Sequence, residues 1–319
     1  MITVAGESLI DLVSEGNDRY RALPGGGPCN VAVALARLDI PTSLLARVSG
    51  DAFGQQLRAH VRINGVSERD LVAAREPTTL AVVTLDDHGQ ARYDFHANGS
   101  ADWQWRHAEL PDALSADVEA LCVGTLAMML PPGATVLEEF VHAERDRGQV
   151  TVVYDPNLRP SLAAGREVER ARVERQAALA DVVKVSKDDL AWIYPEHEIT
   201  GSAAALRGLG PQLVIVTRGR LGSYATGPGA LAVHRPAPAT QVVDTVGAGD
   251  AFCAGLLAAL RERKLLGPAG RVALAHLDEA TLSAILDEAT MVASLTCQRP
   301  GADPPTAAAL RQERLRPGS

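Results

Sequence analysis

The middle of the chain alternates short, unbroken apolar runs with longer segments of helical periodicity. The predicted strands between residues 118 and 220 are Leu121–Gly124, Val150–Asp155, Val182–Val185 and Gln212–Thr217. The predicted helices are Ala134–Arg147, Val168–Leu179 and two short segments that follow residue 185. Strands that are apolar on both sides belong to parallel sheets covered by helices on both faces. The pattern therefore predicts an α/β layered core.

A different pattern occurs between residues 79 and 96. The β-rich runs Thr79–Leu85 and Ala91–His96 flank the turn-rich segment Asp86–Gly89, which predicts an antiparallel hairpin. Polar and apolar side chains alternate in the second run, so one face can meet water while the other, with Tyr93 and Phe95, meets a ligand or partner. The pattern leaves open whether the hairpin is a flap over a site or only extends the edge of the sheet.

Composition and charge exclude several classes of protein. The 319 residues are 46% hydrophobic and 22% charged, which is typical of a globular protein with a large core, as two domains or as one domain with an appendage. A net charge of −8 argues against nucleic acid as a partner. The start of the chain lacks a secretory pattern, and no stretch is apolar enough to span a membrane, so we expect a cytoplasmic protein without a membrane partner.

The cysteines and the absent motifs narrow the chemistry further. The four cysteines are far apart and form no CxxC pair, which favours reduced thiols over a zinc site or a disulfide framework. No P-loop, HExxH or GxSxG motif occurs. Walker-type ATPases, zincins and serine hydrolases are therefore disfavoured.

The strongest local motif is Asp244–Asp250, with the sequence DTVGAGD, followed by the apolar helical segment Ala251–Arg261. Small residues let a ligand approach the backbone, and the first amides of a helix point outward without an intrahelical acceptor. The amides of Ala248, Gly249 and Asp250 would then hold a phosphoryl group while the Asp250 carboxylate accepts a proton from the attacking hydroxyl. Alternatively, Asp250 is an ordinary acidic residue that favours the positive end of the helix dipole.

A second motif is Pro24–Asn30, with the sequence PGGGPCN, followed by the small apolar residues Val31–Leu38. Its three glycines permit main-chain contacts to hydroxyl groups, and Asn30 offers both a donor and an acceptor. This combination favours a polar cradle of the size of a sugar. The alternative is a flexible loop that ends with Pro28 at the start of a helix.

The two motifs together resemble the two signatures of the ribokinase (PfkB) carbohydrate kinase family, and the resemblance extends along nearly the whole chain. Five further segments are similar to the family in the same order: Gly6–Asp11, Gly50–Gly54, Asp155–Arg159, Thr217–Gly222 and Arg299–Ala302. Because five further segments match the family in the same order, the two motifs are unlikely to occur together by chance.

The resemblance implies a fold, a domain division and an assembly. The expected fold is a ribokinase-like three-layer αβα domain with a mostly parallel central sheet and a small β-sheet lid. The large α/β catalytic domain would comprise residues 1–10, 25–74 and 104–319, and the lid residues 11–24 and 75–103. The sugar would bind between lid and domain, with ATP along the carboxyl edge of the sheet. The exposed face of the lid makes a homodimer the expected assembly.

The resemblance also implies roles for individual residues. The implied sugar-binding residues are Asp11, Gly26, Gly27, Asn30, Phe95 and Arg159. The implied catalytic residues are the base Asp250 and, for the transferred charge, Gly247, Ala248 and Gly249. The implied nucleotide-binding residues are Ser186, Thr217, Gly219 and Gly222. Asp244 and the Val246 carbonyl match the loop that binds a monovalent cation in many members, so the expected cofactors are ATP, Mg²⁺ and K⁺.

The sequence departs from the family pattern at four places. Asp39 stands where the first signature usually has glycine, and Ala52 replaces an aspartate. The segment Ser186–Asp189 matches only part of the NxxE motif linked to magnesium and phosphate. Thr290 occupies a place where many members have an asparagine near adenine. The departures concern metal handling and base preference rather than phosphoryl transfer.

Charge is the best guide to the substrate. Arg159 could bind the carboxylate of an acid sugar, but fructokinase-like members carry the same arginine, and it could instead form a structural salt bridge. The lid has Phe95–Asn98 where acid-sugar kinases often place a second arginine. The sequence therefore predicts an ATP-dependent sugar kinase acting on fructose. The alternatives are a 2-keto-3-deoxygluconate or other acid-sugar kinase, a nucleoside kinase, and a non-catalytic sugar or nucleoside sensor.

Overall fold

The computed structural model describes residues 1–16, 18–85 and 91–315. The strands are β1 (Ile2–Ala5), β2 (Leu9–Gly16), β3 (Arg19–Gly25), β4 (Thr42–Ser49), β5 (Leu71–Ala74), β6 (Leu80–Leu85), β7 (Ala91–His96), β8 (Ala120–Gly124), β9 (Thr151–Asp155), β10 (Val182–Ser186), β11 (Leu213–Thr217), β12 (Ser223–Thr226) and β13 (Ala232–Arg235). The α-helices are α1 (Gly27–Arg37), α2 (Ala52–Ile63), α3 (Gly133–Arg147), α4 (Arg166–Ala177), α5 (Lys187–Ile193), α6 (Ile199–Arg207), α7 (Ala248–Glu262), α8 (Gly267–Leu274), α9 (Glu279–Cys297) and α10 (Ala307–Arg314). Among these helices none is long and apolar enough to cross a bilayer.

The larger sheet has nine strands in the order β13-β12-β11-β10-β9-β8-β1-β4-β5. Every neighbouring pair from β11 to β5 is parallel, while β12 and β13 run antiparallel at one edge. The four strands predicted between residues 118 and 220 are confirmed as β8, β9, β10 and β11. They lie side by side, so their carboxyl ends meet at one edge of the sheet.

Alternate residues of each central strand pack into two separate cores. In β8, Ala120 and Cys122 face one core, whereas Leu121 and Val123 face the other. Helices α1, α2, α7 and α9 contribute to the first core, and α3, α4, α5 and α6 contribute to the second. Both faces of the sheet are therefore covered, and the predicted three-layer αβα architecture is confirmed.

The smaller sheet has four strands in the order β3-β2-β6-β7. Strands β6 and β7 pair antiparallel, as the residue pattern predicted, while the turn predicted at Asp86–Gly89 lies outside the described residues. Strands β2 and β3 form a second antiparallel pair, and β2 joins β6 in parallel. The expected small β-sheet is thus built from two separate excursions of the chain. The predicted domain boundaries stay a prediction.

Asp39 follows the end of α1 in a left-handed backbone conformation, with φ of 61°. A residue just after a helix often adopts this conformation, and glycine favours it because it has no Cβ. Aspartate tolerates it better than most residues with a side chain. The departure from the family signature at this position therefore retains the turn that glycine would make.

Candidate active site

A pocket of about 350 Å³ lies where the smaller sheet meets the carboxyl edge of the larger one. The site residues that the sequence predicted and that line it are Asp11, Gly26, Gly27, Asn30, Phe95, Arg159, Val246, Gly247 and Asp250. Its other lining residues are Glu7, Leu9, Tyr93, Leu126 and Thr245. The structure thus brings together segments from the first strand to the seventh helix around one volume of the size of a small polar ligand.

Helix α7 begins at this pocket through a conformation that requires glycine. Gly247 caps the helix with φ of 73°, and its carbonyl accepts the Ala251 amide at 2.8 Å. A Cβ on Gly247 would lie 2.6 Å from the Cβ of Ala302, closer than two non-bonded carbon atoms can approach. The glycine therefore lets the chain turn into the helix while the segment around Ala302 packs against it.

The first amides of α7 are largely free. Gly247, Gly249 and Asp250 have no acceptor for their amide hydrogens among the described residues. The Ala248 amide donates to the Thr245 carbonyl at 3.2 Å. In this structure the turn engages the Ala248 amide, whereas the amides of Gly247, Gly249 and Asp250 are unpaired donors of the kind that favour an anion. The anion-binding role of this turn stays a prediction.

The Asp250 carboxylate is buried and points into the site. Its Oδ2 atom accepts a hydrogen bond of 2.8 Å from Nδ2 of Asn30, on α1. Its Oδ1 atom lies 3.4 Å from the position that a Cβ on Gly27 would occupy. Burial raises the pKa of Asp250, while the Asn30 hydrogen bond and the charges of Lys184 and Arg159 act in the opposite direction. This geometry fits a proton acceptor beside an anion site better than an ordinary surface residue of a helix.

Asp11, on β2, places a second carboxylate in the pocket. A Cβ on Gly25, in the paired strand β3, would lie 2.3 Å from Oδ2 of Asp11, so glycine makes room for that carboxylate. Burial raises the pKa of Asp11 to about 6, with Arg159 opposing this shift and Asp250 adding to it. Asp11 and Asp250 line the same pocket, so one carboxylate can bind hydroxyl groups while the other accepts a proton.

Arg159 lies at the wall of the pocket and is held by its own loop. Its Nη1 atom donates to the carbonyl of Asn157 at 3.0 Å, to the side-chain oxygen of Asn157 at 2.7 Å and to the carbonyl of Leu158 at 2.9 Å. The salt bridges of the described chain do not include Arg159. The alternative of a structural salt bridge is therefore not what the structure shows. The remaining guanidinium nitrogens stay available to a ligand.

Two aromatic rings of β7 form the wall contributed by the smaller sheet. The rings of Tyr93 and Phe95 are stacked with centroids 6.1 Å apart and an angle of 16° between their planes. Both line the pocket, whereas Arg92, Asp94 and His96 on the opposite face are exposed. The predicted alternation is confirmed for these residues. An apolar wall of this kind suits the carbon face of a sugar ring.

The sequence did not predict the contact between Glu7 and Thr125. The Glu7 carboxylate is 2% exposed, and it accepts hydrogen bonds from the Thr125 hydroxyl and, at 3.1 Å, from the Ala127 amide. Thr125 has a φ of 57°, and its methyl group lies 3.0 Å from the position of a Cβ on Gly27. Glu7 thus holds an unfavourable backbone conformation against the glycine segment. The sequence signals were an acidic residue two positions after a buried strand and its place in the family-like segment Gly6–Asp11.

The predicted nucleotide-binding residues lie on the same edge of the sheet, outside the lining of the 350 Å³ pocket. Ser186 and Thr217 are register partners where β10 and β11 end. The Ser186 hydroxyl accepts the Asp189 amide at 3.0 Å, which caps α5. Gly219 and Gly222 adopt positive φ in the turn that follows β11. Their arrangement along one edge is compatible with a nucleotide, and their roles stay a prediction.

The predicted cation loop is fixed by Asp244. One carboxylate oxygen accepts the Val246 amide at 3.0 Å, and the other accepts the Gly301 amide at 2.7 Å. Within the described ranges no group of three or more His, Cys, Asp or Glu residues could hold a metal ion. A carboxylate and a backbone carbonyl offer only oxygen ligands, which suit a hard cation rather than a transition metal. Cation binding by Asp244 and Val246 stays a prediction.

Comparison with known proteins decides the family. Residues 1–309 match the family described as pfkB family carbohydrate kinase. The chain belongs to this family. A curated relative, the fructokinase of Rhizobium leguminosarum bv. trifolii, is 34% identical over 286 residues, which cover 88% of this chain and 85% of the relative.

Solved structures extend the similarity of this PfkB kinase to its whole fold. A fructokinase from Xylella fastidiosa with bound ATP has a TM-score of 0.89 and 27% identity, covering 99% of both chains. A fructokinase from Vibrio cholerae O395, solved with fructose, ADP and calcium, has a TM-score of 0.81 and 29% identity, covering 97% of this chain and 95% of that one. A double mutant of the same Vibrio protein was solved with fructose, ADP and potassium, with a TM-score of 0.81 and 28% identity over 97% of this chain and 94% of that one.

The PfkB kinase also carries a buried ion pair that the sequence analysis did not assign to the site. Nζ of Lys184, on β10, donates to Oδ2 of Asp155, on β9, at 2.7 Å. A lysine inside an otherwise apolar strand was the signal that could have revealed it, because lysine is almost never fully buried without a partner.

Proposed function

We propose that this PfkB kinase transfers the γ-phosphoryl group of ATP to a hydroxyl group of fructose. One observation carries the proposal: the Asp250 carboxylate, the unpaired amides of α7 and the polar side chains Asp11 and Asn30 meet in one pocket. The curated relative and the solved structures are named fructokinases, which supports fructose as the acceptor. The family membership supports the kinase reaction itself.

The proposed step is an in-line displacement. The Asp250 carboxylate takes the proton of the sugar hydroxyl as that oxygen forms a bond to the γ-phosphorus. The bond between the γ-phosphorus and the bridging oxygen of ADP breaks, and ADP leaves with that oxygen. The amides of Gly247, Gly249 and Asp250 stabilise the negative charge on the transferring group. Stacked Tyr93 and Phe95 exclude water from one side, which limits hydrolysis of ATP.

The side chains around the sugar favour a neutral acceptor. Arg159 is the only arginine among the residues that line the described pocket, and one of its nitrogens is already committed to Asn157 and Leu158. A carboxylate on the sugar would also meet the carboxylates of Asp11 and Asp250. This arrangement supports a polyol or ketose over the acid-sugar alternative, which the experiment below includes.

The metal ions of the proposed reaction would offset the negative charge of the ATP phosphates. Mg²⁺ would enter with the phosphates of ATP, because Ser186 and Asp189 are committed to capping α5 and offer no obvious ligand set. Asp244 and the Val246 carbonyl would hold K⁺ with oxygen ligands beside the start of α7. A bound cation there adds positive potential next to the anion-binding amides. The homodimer through the exposed face of the smaller sheet is part of the proposal, and light scattering measures it.

An assay of ADP release coupled to a chromogenic reaction tests the proposal. The purified protein is assayed with MgATP, with and without K⁺, on fructose, other neutral ketoses, 2-keto-3-deoxygluconate and nucleosides. We expect the highest kcat/KM with fructose. A higher kcat/KM with the acid sugar or a nucleoside contradicts the assigned substrate. Sugar binding by calorimetry without ADP release on any acceptor contradicts the kinase and favours the sensor.

The Asp250→Asn variant tests the assigned base. A positioned base contributes about 100- to 10,000-fold, so kcat should fall by at least about 100-fold while the sugar still binds. Asp287→Asn is a matched control, because Asp287 is half exposed in α9 and pairs with Arg235 away from the pocket. A kcat of Asp250→Asn within about tenfold of the wild type would remove the base from the mechanism.

A further inference from the structure

We infer that Lys184 is a positioning residue for phosphoryl transfer, and that Asp155 holds its ammonium group beneath the first turn of α7. The inference rests on the proposed function and deepens it. It concerns two residues to which neither the family resemblance nor the sugar pocket assigns a role.

The topology places the two side chains next to each other under α7. Asp155 is the last residue of β9, and Lys184 is the middle residue of β10, its parallel neighbour. Val153 and Val182, two positions earlier in each strand, face the core that α7 covers. Since side chains two positions apart share a face of a strand, Asp155 and Lys184 point toward α7. Lys184 is 3% exposed and Asp155 is 5% exposed.

The ammonium group lies directly against the backbone of the anion-binding turn. A Cβ on Gly249 would be 3.3 Å from Nζ of Lys184, so the glycine brings the charge within contact distance of the helix. The Gly249 amide is one of the unpaired donors of α7. A cation at the positive end of a helix is unfavourable for folding, because the helix dipole repels it. An anion at the same helix end reverses this sign, since the dipole and the ammonium then both attract it.

The pair is also poorly arranged for stability alone. Oδ1 of Asp155 is buried and has no hydrogen-bond partner in the described part of the chain. Asp155 lines a cavity of about 10 Å³ together with Gly27, Thr125 and Asp250. Removing two charges from water is costly when one carboxylate oxygen stays unpaired, and apolar residues at such positions are often equally stable or more stable. A local arrangement that opposes stability is expected where function requires it.

The charges facing the base show what Lys184 contributes. Five polar or charged groups surround Asp250: Asn30 from α1, Asp11 from β2, Asp155 from β9, Arg159 from the loop after β9, and Lys184 from β10. Lys184 therefore offsets the negative charge of the carboxylates below the first turn of α7, and Arg159 offsets the negative charge of those that line the pocket. Loss of Lys184 removes one cation from a site that holds the carboxylates of Glu7, Asp11, Asp155 and Asp250.

The test separates charge from stability by removing both members of the pair. Lys184→Met alone should lower the melting temperature, because it leaves Asp155 unpaired, and should lower kcat about 10- to 100-fold. Asp155→Leu with Lys184→Met removes both charges and should restore the melting temperature, with kcat still about 10- to 100-fold below the wild type. KM for the sugar should stay within about threefold in both, since neither residue lines the sugar pocket.

Arg271→Met is the matched control. Arg271 pairs with Asp181 at 2.9 Å, just before the start of the same strand β10 and away from the sugar pocket. Asp181 is 3% exposed, so this variant also leaves a buried carboxylate short of a partner. Its melting temperature should fall while kcat stays within about twofold of the wild type. An equal loss of kcat in Arg271→Met and Lys184→Met would mean that destabilisation alone explains the effect, which overturns the inference.

The double variant decides the remaining outcomes. A kcat within about threefold of the wild type in Asp155→Leu with Lys184→Met would show that the pair is only structural. If that variant does not fold, Asp155→Asn with Lys184→Gln keeps polar groups at both positions without charge and is judged by the same limit. A wild-type protein that phosphorylates an acceptor other than fructose still tests the inference on that acceptor. A wild-type protein without transfer to any acceptor refutes the proposed function, and the inference falls with it.

Discussion

The side-chain amide of Asn30 donates a hydrogen bond of 2.8 Å to the Asp250 carboxylate and thereby joins α1 to α7 across 220 residues of sequence. This bond occupies one carboxylate oxygen and leaves the other beside Gly27, facing the pocket. A hydrogen bond to the ionised form favours that form. Asn30 therefore both orients the proposed base and helps to keep it able to accept a proton.

Asn30→Ala should move the acid limb of the pH profile of kcat to higher pH. Burial already raises the pKa of Asp250, and loss of the Asn30 hydrogen bond removes one of the interactions that oppose this rise. One pKa unit corresponds to about a tenfold loss of activity on the acid side of the profile. We therefore expect kcat to fall more at pH 6 than at pH 8. Profiles of variant and wild type that differ only by a constant factor would contradict this role.

Asp11 should make the free protein less stable as the pH rises. Its folded-state pKa of about 6 lies above its ordinary value of 3.8, so the folded protein binds this proton more tightly than the unfolded chain. The corresponding stability is complete below pH 4 and is lost as the pH rises through 6. The unfolding free energy of Asp11→Asn should therefore exceed that of the wild type by about 3 kcal/mol at pH 8, and the two should be nearly equal at or below about pH 4.

Urea unfolding at the two pH values measures this difference in stability. KM for fructose measures whether Asp11 contributes to sugar binding. We expect KM of Asp11→Asn to rise, because the variant loses an acceptor for sugar hydroxyls. The same stability difference at pH 4 and pH 8 would show that ionisation of Asp11 is not the cause.

Thr125→Val should cost about 2 kcal/mol of unfolding free energy, whereas Thr125→Ser should cost much less. Valine has nearly the shape of threonine but leaves the buried Glu7 carboxylate without its hydroxyl partner. Serine keeps that hydroxyl. Denaturant titration of the two variants measures the difference directly. Equal stabilities for valine and serine would mean that the Glu7 contact contributes nothing.

The parallel sheet could be predicted from the sequence, and the composition of the smaller sheet could not. Unbroken apolar runs such as Val182–Val185 occur where both faces of a strand are buried, so their pattern reports the covered sheet. The hairpin of β6 and β7 has a local signal. The pairing of β2 with β6 joins Ile10 to Leu80, and no local pattern reports contacts at that separation.

The site shows the same division between local and distant information. The glycine-rich segments around Asn30 and Asp250 were predictable, because backbone access to an anion or a polyol requires small residues at those places. The contacts of Glu7 with Thr125 and of Lys184 with Asp155 join segments 118 and 29 residues apart. The engagement of Ala248 with Thr245 depends on the geometry of one turn, which residue types alone do not fix.

Asp39→Gly should raise the unfolding free energy by about 0.5–1 kcal/mol. The position has φ of 61°, which glycine adopts without steric cost. The ion pair that the variant loses, between Asp39 and Arg311 at 3.8 Å, is exposed on both sides and contributes little. Asp39→Ala is the control, and it should be less stable than the wild type because alanine disfavours this conformation. A glycine variant no more stable than the alanine variant would contradict the explanation.

The order of biosynthesis follows from the position of α7 in the chain. Asp11, Asn30 and Arg159 are translated before the second half of the polypeptide, whereas the proposed base and its amides emerge only after residue 246. Because α7 also supplies buried residues that pack with α1 and α9, a nascent chain that stops before α7 lacks much of one core as well as the chemistry. We therefore expect prematurely terminated chains to be degraded by proteolysis rather than to persist as proteins that bind the sugar without phosphorylating it. Sugar binding and phosphoryl transfer then become possible only in the same, completed chain.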